Sequence, residues 1–196
     1  MILTPLEEVG IVSIKSLLNF YKTMTKKEFL NSVSKGKEDI LNDLLDLLTE
    51  MEINYCVIGG LAVNAYVEPV VSLDLDIVIV TESIEPLLKK VKNKFKIERL
   101  PHRVNLKSAK SDLRIQIQTD PRYQDFIFKA SMKEVMGYSM KVATEEDVLQ
   151  GKIWAYSDEG RRRSKRQKDL ADIFRLVEVY PRLKDLLPKS LRTLVE

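Results

Sequence analysis

The chain has 196 residues, 44% of them hydrophobic and 31% charged, which suffices for one well-cored domain or two small ones and is too apolar for disorder. No apolar run approaches the roughly 20 residues of a membrane span, and the N-terminus lacks the basic, apolar and small-residue order of a signal peptide, so a cytoplasmic location with no membrane partner is expected. The net charge of +3 is too small to argue for nucleic acid, although six of the 32 basic residues fall in one run, RRRSKRQK at 161–168.

Residues 1–52 read as a helical lead-in, most clearly in KEDILNDLLDLLTEME, where Ile40, Leu44, Leu47 and Leu48 recur at helical spacing. A strand follows at Tyr55 to Ile58 and stops at Gly59-Gly60. It contains the only cysteine, Cys56, which cannot form an internal disulfide and reads as a core thiol. LAVNAY reads as a short helix and LDLDIVIV as a strand rich in β-branched residues. Glu82 or Ser83 opens a helix in IEPLLKKVKNKF, with Pro86 near its first turn. In DLRIQIQT, Leu113, Ile115 and Ile117 alternate with Arg114, Gln116 and Gln118, the pattern of a half-buried strand. TDPRYQ is a turn by composition, and His102, with no second His or Cys at ligand spacing, reads as a surface or loop histidine. From Thr144 the pattern is helical again. Thr144 with Asp147 resembles a cap, and Leu170, Ile173, Phe174 and Val177 form a stripe that Pro181 ends.

Chemistry concentrates between residues 57 and 80. Residues two apart in a strand point the same way, so Asp74 and Asp76 share a face, with Cα atoms about 6–7 Å apart. Unpaired, each carboxylate raises the other's pKa; a hard divalent cation reverses that sign, because Mg²⁺ takes one or two carboxylates plus waters and phosphates. Gly59-Gly60, at the end of one strand and the start of a helix, lets backbone N–H groups approach a phosphate closely. It is neither a P-loop nor a dinucleotide fingerprint.

Together, VIGGLAVNAY and LDLDIVIV resemble the nucleotidyltransferase superfamily with the DNA-polymerase-beta fold. The resemblance implies an α/β (α+β) architecture: a small mixed sheet flanked by helices. It also implies transfer of a nucleoside monophosphate from an NTP to a hydroxyl. Mg²⁺ or Mn²⁺ would sit on Asp74 and Asp76, and the triphosphate on Gly59 and Gly60, with Ser72 at the hydroxyl position. Gln116 stands where polymerase-like members carry a third carboxylate. The C-terminal third, EEDVLQGKIWAY, the basic run and KDLADIFRL, resembles AbiEii-type toxin nucleotidyltransferases. Carried over, Lys152 is the helix lysine, Lys168-Asp169 the Lys-Asp pair and Asp172 the later aspartate. Lys152 and Arg163 would bind phosphates. Asp169 would orient or activate the acceptor or complete the metal shell, with Asp172 or Asp120 as alternative third acids.

These readings divide the chain into a helical segment at 1–52, a nucleotidyltransferase core at 53–143 and a helical region at 144–196 packed on it. The expected partners are an NTP, an RNA, tRNA, protein or small-molecule acceptor, and a cognate antitoxin if the chain is the toxin of such a pair. The rival expectation, kept open by Gln116, is an inactive nucleotidyltransferase-like module that binds NTP, RNA or a partner protein. Trp154 and Tyr156 read as core packing before base stacking.

Overall fold

The computed structural model describes residues 24–194, so the first 23 residues of the expected helical lead-in lie outside the described residues. Helix α1 (Lys26–Val33) opens with a reciprocal cap between Thr25 and Glu28. Helix α2 (Ile40–Glu50) starts at Asp39, whose carboxylate accepts the Asn42 N–H, and buries Leu41, Leu44 and Leu48. Then come β1 (Tyr55–Ile58), α3 (Gly59–Val63), β2 (Asp74–Ile79) and α4 (Thr81–Val91). Helix α4 begins earlier than the sequence suggests, because β2 runs straight into it and the Ser83 N–H closes a turn on the Val80 carbonyl. Pro86 therefore lies inside the helix rather than in its first turn.

The chain continues through β3 (Lys96–Leu100), β4 (Arg103–Ser108), β5 (Ser111–Gln118), a 3-10 turn at Pro121–Tyr123 and α5 (Phe126–Lys129). It ends in β6 (Ser131–Val135), β7 (Tyr138–Val142), α6 (Glu145–Ser157), α7 (Arg163–Val179), a second 3-10 turn at Pro181–Leu186 and α8 (Lys189–Arg192). Thr144 caps α6 by accepting the Asp147 N–H. Among the described residues, no helix is long and apolar enough to cross a membrane.

The seven strands form one mixed sheet in the order β3-β4-β5-β2-β1-β7-β6. Strand β2 pairs antiparallel with β1 and parallel with β5. Register fixes which side chains share a face. Leu75 and Ile77 stand beside Ile115 and Ile117, which stand beside Leu106 and Val104, so one face of this wing is continuously apolar and buried. The other face changes along the sheet. At β1 and β2 it holds the buried Cys56 and Val78; at β5 it turns polar with Arg114, Gln116 and Gln118, and at β4 it carries Arg103, Asn105 and Lys107. The thiol of Cys56 is pushed up to about 12 by burial, with Asp147 adding to the effect, as suits a core residue.

Candidate active site

The polar face of β2 and β5 floors a cleft of about 500 Å³ that α6 and the start of α7 wall on the opposite side. Asp74 and Asp76 both open into it, beside Arg114 and Gln116 in register. The entry to β2 is pinned by the buried Ser72, whose hydroxyl bonds to the Asp74 backbone at 3.3 and 3.4 Å. Asn64 brackets the preceding loop through hydrogen bonds of 2.7 and 3.0 Å to the Val70 backbone.

Gly59 is in the left-handed region, with φ of +70°, and an added Cβ there would lie 2.1 Å from Asp76 Oδ2. The first glycine therefore has its carbon face against the second carboxylate, an arrangement open to no L side chain. Gly60 differs: a Cβ would rest 3.4 Å from Ser72 Oγ, an ordinary contact.

The two acids are compensated unequally. Asp74 faces two cations, Arg114 Nη2 at 2.7 Å from Oδ1 and Lys165 Nζ at 3.4 Å from Oδ2. The approach of Arg114 is off-axis, so the buried Oδ1 completes no hydrogen bond. Asp76 has no ion-pair partner among the described residues. Desolvation pushes its carboxyl above the ordinary range; Lys152 opposes this, and the neighbouring Asp74 reinforces it. A carboxylate raised in this way withdraws stability once ionised, and the loss is relieved as pH falls through the folded-state value. Asp76→Asn is therefore expected to raise Tm by a few degrees at neutral pH and by less in mildly acid buffer, as read by calorimetry.

The donor set suits a hard divalent cation. An orphaned oxygen on Asp74 and an unpaired carboxylate on Asp76 supply two oxygens on one face, and Mg²⁺ characteristically takes its remaining positions from water and phosphate. Among the described residues, no group of three or more His, Cys, Asp or Glu side chains is placed to hold a metal.

The helical wall holds a buried charge network. Lys152 Nζ lies 3.1 Å from Asp169 Oδ1 and 2.7 Å from Asp172 Oδ2, with side-chain exposures of 7%, 3% and 5%. Burial alone would lower the Lys152 pKa, but Asp172 and Asp169 outweigh it and hold the ammonium above its usual value. Arg161 Nε caps Asp169 Oδ2 at 2.7 Å, and Arg175 Nη1 caps Asp172 Oδ1 at 2.7 Å. Arg175 also donates to the Glu68 carbonyl, which ties the network to the loop before β2. Helix spacing suggests Lys165–Asp169 and Lys168–Asp172 pairs; these aspartates are instead held by Lys152 of α6 and by arginines, and Lys165 reaches across the cleft to Asp74.

The structure thus brings Gly59, Asp74, Asp76, Lys152 and Asp169 together at one cleft, with Gly60 and Ser72 just behind it and Asp172 behind Lys152. Two other candidates stand apart. Arg163 is exposed and lies outside the cleft lining. Asp120 caps its own 3-10 turn, is held by the Arg122 guanidinium at 2.7 Å, and lines a neighbouring cleft rather than the one that holds Asp74 and Asp76. Trp154 packs against Tyr123 and Phe126, as the core reading expects. Arg114 lines the floor on the polar face of β5, and Asp147 lines the wall paired to Lys129 at 2.6 Å. Neither is a candidate from sequence, although the alternation that marks β5 already puts Arg114 beside Gln116.

No family model matches the chain, and no curated protein matches it in sequence. Solved structures do. The lincomycin-bound lincosamide antibiotic adenylyltransferase LnuA is similar over 71% of this chain and 97% of its own, at 17% identity and a TM-score of 0.50. The antibiotic-resistance factor ANT(2'')-Ia, in its complex with adenylyl-2''-tobramycin, is similar over 80% of this chain and 94% of its own, at 15% identity and a TM-score of 0.56. Its solution structure is similar over 79% and 88%, at 11% identity and the same TM-score of 0.56. The chain has the nucleotidyltransferase-type fold, a mixed sheet flanked by helices.

Proposed function

We propose that this protein is a metal-dependent nucleotidyltransferase that moves a nucleoside monophosphate from an NTP to a hydroxyl acceptor. The reading is carried by one observation: Asp74 and Asp76 lie side by side on a cleft floor, Asp76 against the cramped Gly59, in a fold shared with the adenylyltransferase LnuA and with ANT(2'')-Ia as solved with adenylyl-2''-tobramycin. Asp74 and Asp76 would hold Mg²⁺ or Mn²⁺, which when bound neutralises charge developing on the α-phosphoryl group and the departing pyrophosphate. The Gly59-Gly60 turn leaves room for phosphate oxygens beside the carboxylates. Arg161, held by Asp169, and Lys165 present positive charge to the polyphosphate. The acceptor oxygen bonds to the α-phosphorus as its bond to the pyrophosphate oxygen breaks, and the acceptor proton passes to a cleft carboxylate.

The finer likeness to AbiEii-type toxins is supported by Lys152, Asp169 and Asp172 forming one buried unit, so their sequence motifs act together. An RNA or tRNA acceptor is supported by the basic residues of the cleft, among them Arg103 and Arg162; a toxin role with a cognate antitoxin rests on the motif likeness alone. Gln116, in register beside Asp76, favours a second reading, an inactive module that binds a nucleotide without transferring it.

Thermal shift and transfer assays separate the two. Mg²⁺ with ATP is expected to raise the wild-type Tm, and the Asp74→Asn/Asp76→Asn protein is expected to stay folded and lose that rise. Incubation with labelled NTPs, Mg²⁺ and total RNA or lysate should then label an acceptor. A Tm shift without labelling would favour the module, and a shift retained by the double variant would refute the metal assignment.

A further inference from the structure

Asp74 is compensated in the free protein by cations from two different walls. Arg114 comes from β5 on the floor, and Lys165 from the first turn of α7 opposite. Their side chains are 55% and 35% exposed, so either can swing away without opening the core. Asp76, next to it, has no such partner among the described residues. A divalent cation arriving alone meets a half-occupied pair of ligands: to bind Asp74 it must displace both side chains, and it leaves two positive groups stranded beside a third. A triphosphate arriving alone fares no better, because drawing Arg114 and Lys165 away bares Asp74, beside the already unpaired Asp76, to its own negative charge. Arriving together, the metal takes the carboxylates and the phosphates take the released cations.

Resting on the nucleotidyltransferase reading, we propose that Arg114 and Lys165 are exchangeable counter-ions, neutralising Asp74 in the free protein and passing to the polyphosphate when metal and nucleotide bind together. The exchange makes each ligand's affinity conditional on the other. It also gives two cleft cations the same polyphosphate target, one from each wall. As both partners of a coupled equilibrium must, metal strengthens nucleotide binding by the factor with which nucleotide strengthens metal binding.

The test uses two titrations of the full chain. Free Mn²⁺ is counted by electron paramagnetic resonance in a titration with Mn²⁺ alone, and binding of α,β-methylene-ATP in saturating Mn²⁺ is read by calorimetric titration. Arg114→Gln/Lys165→Gln is compared with the wild type and with Lys89→Gln/Lys90→Gln, which removes the same charge from an exposed part of α4. Removing the counter-ions is expected to tighten Mn²⁺ alone by about tenfold and to weaken analogue binding in its presence by at least about tenfold, changes of opposite sign. The control should move neither. Unchanged or weaker binding of Mn²⁺ alone by the counter-ion variant overturns the exchange, as does undiminished binding of the analogue. If the wild type binds no analogue with Mn²⁺, the nucleotidyltransferase reading fails, and the exchange fails with it. That outcome is told apart because it appears before any variant is made.

Discussion

Lys152→Met is expected to lower the unfolding free energy by about 3–5 kcal/mol, the usual penalty for removing one partner of a buried ion pair. The methionine fills nearly the same volume, so the loss is electrostatic. Asp169 and Asp172 are almost fully enclosed, and both aim an oxygen at the ammonium. Without it, Arg161 and Arg175 each hold one carboxylate from the outer side, and two like charges face each other across the vacated centre. Chemical denaturation at pH 7 measures the loss. Lys152→Met/Asp169→Asn/Asp172→Asn, which removes the buried charge altogether, is expected to recover most of it. Because the Lys152 pKa is raised on folding, its stabilisation is fully present below the ordinary lysine range and fades as pH rises through the folded-state value. The wild type should therefore lose this increment only in strongly alkaline solution, and Lys152→Met should show no such loss. A Lys152→Met protein as stable as wild type would mean that the ion cluster contributes nothing.

Gly59→Ala is expected to abolish the stabilisation by Mg²⁺ with ATP while Gly60→Ala preserves it. An alanine at 59 must hold a positive φ, at a cost of about 1–2 kcal/mol, and its methyl must displace the Asp76 carboxylate from a contact of 2.1 Å. Relief comes only by rotating Asp76 out of the cleft or by shifting β1 against β2, and either change separates the two acids. Tm in the absence of ligand should fall by several degrees, and the ligand-induced rise should vanish. Retention of that rise in Gly59→Ala would show that the close approach of backbone and carboxylate is incidental.

How far the sequence foretells this arrangement depends on what each residue pairs with. Strands β1, β2 and β5 announce themselves, because burial on one or both faces writes apolar runs or alternation into them. Strands β4 and β7 carry the same alternation in Val104 and Leu106, and in Tyr138, Met140 and Val142, so they too are legible in the sequence. Strands β3 and β6 carry almost none: they are exposed sheet edges, held by backbone pairing with β4 and β7. The β6–β7 turn is hidden too, since Met136 and Gly137 both take positive φ and methionine is not a residue that signals such a turn. At the site, the acids and glycines are legible because their spacing is local. The partners of Asp169 and Asp172 are not. Spacing of four along one helix nominates Lys165 and Lys168, and spacing of three yields only Arg175 for Asp172, whereas packing of α6 against α7 supplies Lys152 to both.

The sheet order also governs when the cleft can come into being. Strand β1 lies between β2 and β7, so residues 55–58 acquire their second neighbour only when residues 138–142 are available. The contact between Lys165 and Asp74 spans 91 positions. Closing loops of that length delays folding, because their entropy is lost before the contacts that repay it form. During synthesis the two acids emerge long before either the lysine that braces Asp74 or the α6–α7 wall. A chain halted after β7 would carry the floor of the cleft with no wall, and in refolding from denaturant the regain of sheet signal should precede the regain of nucleotide binding.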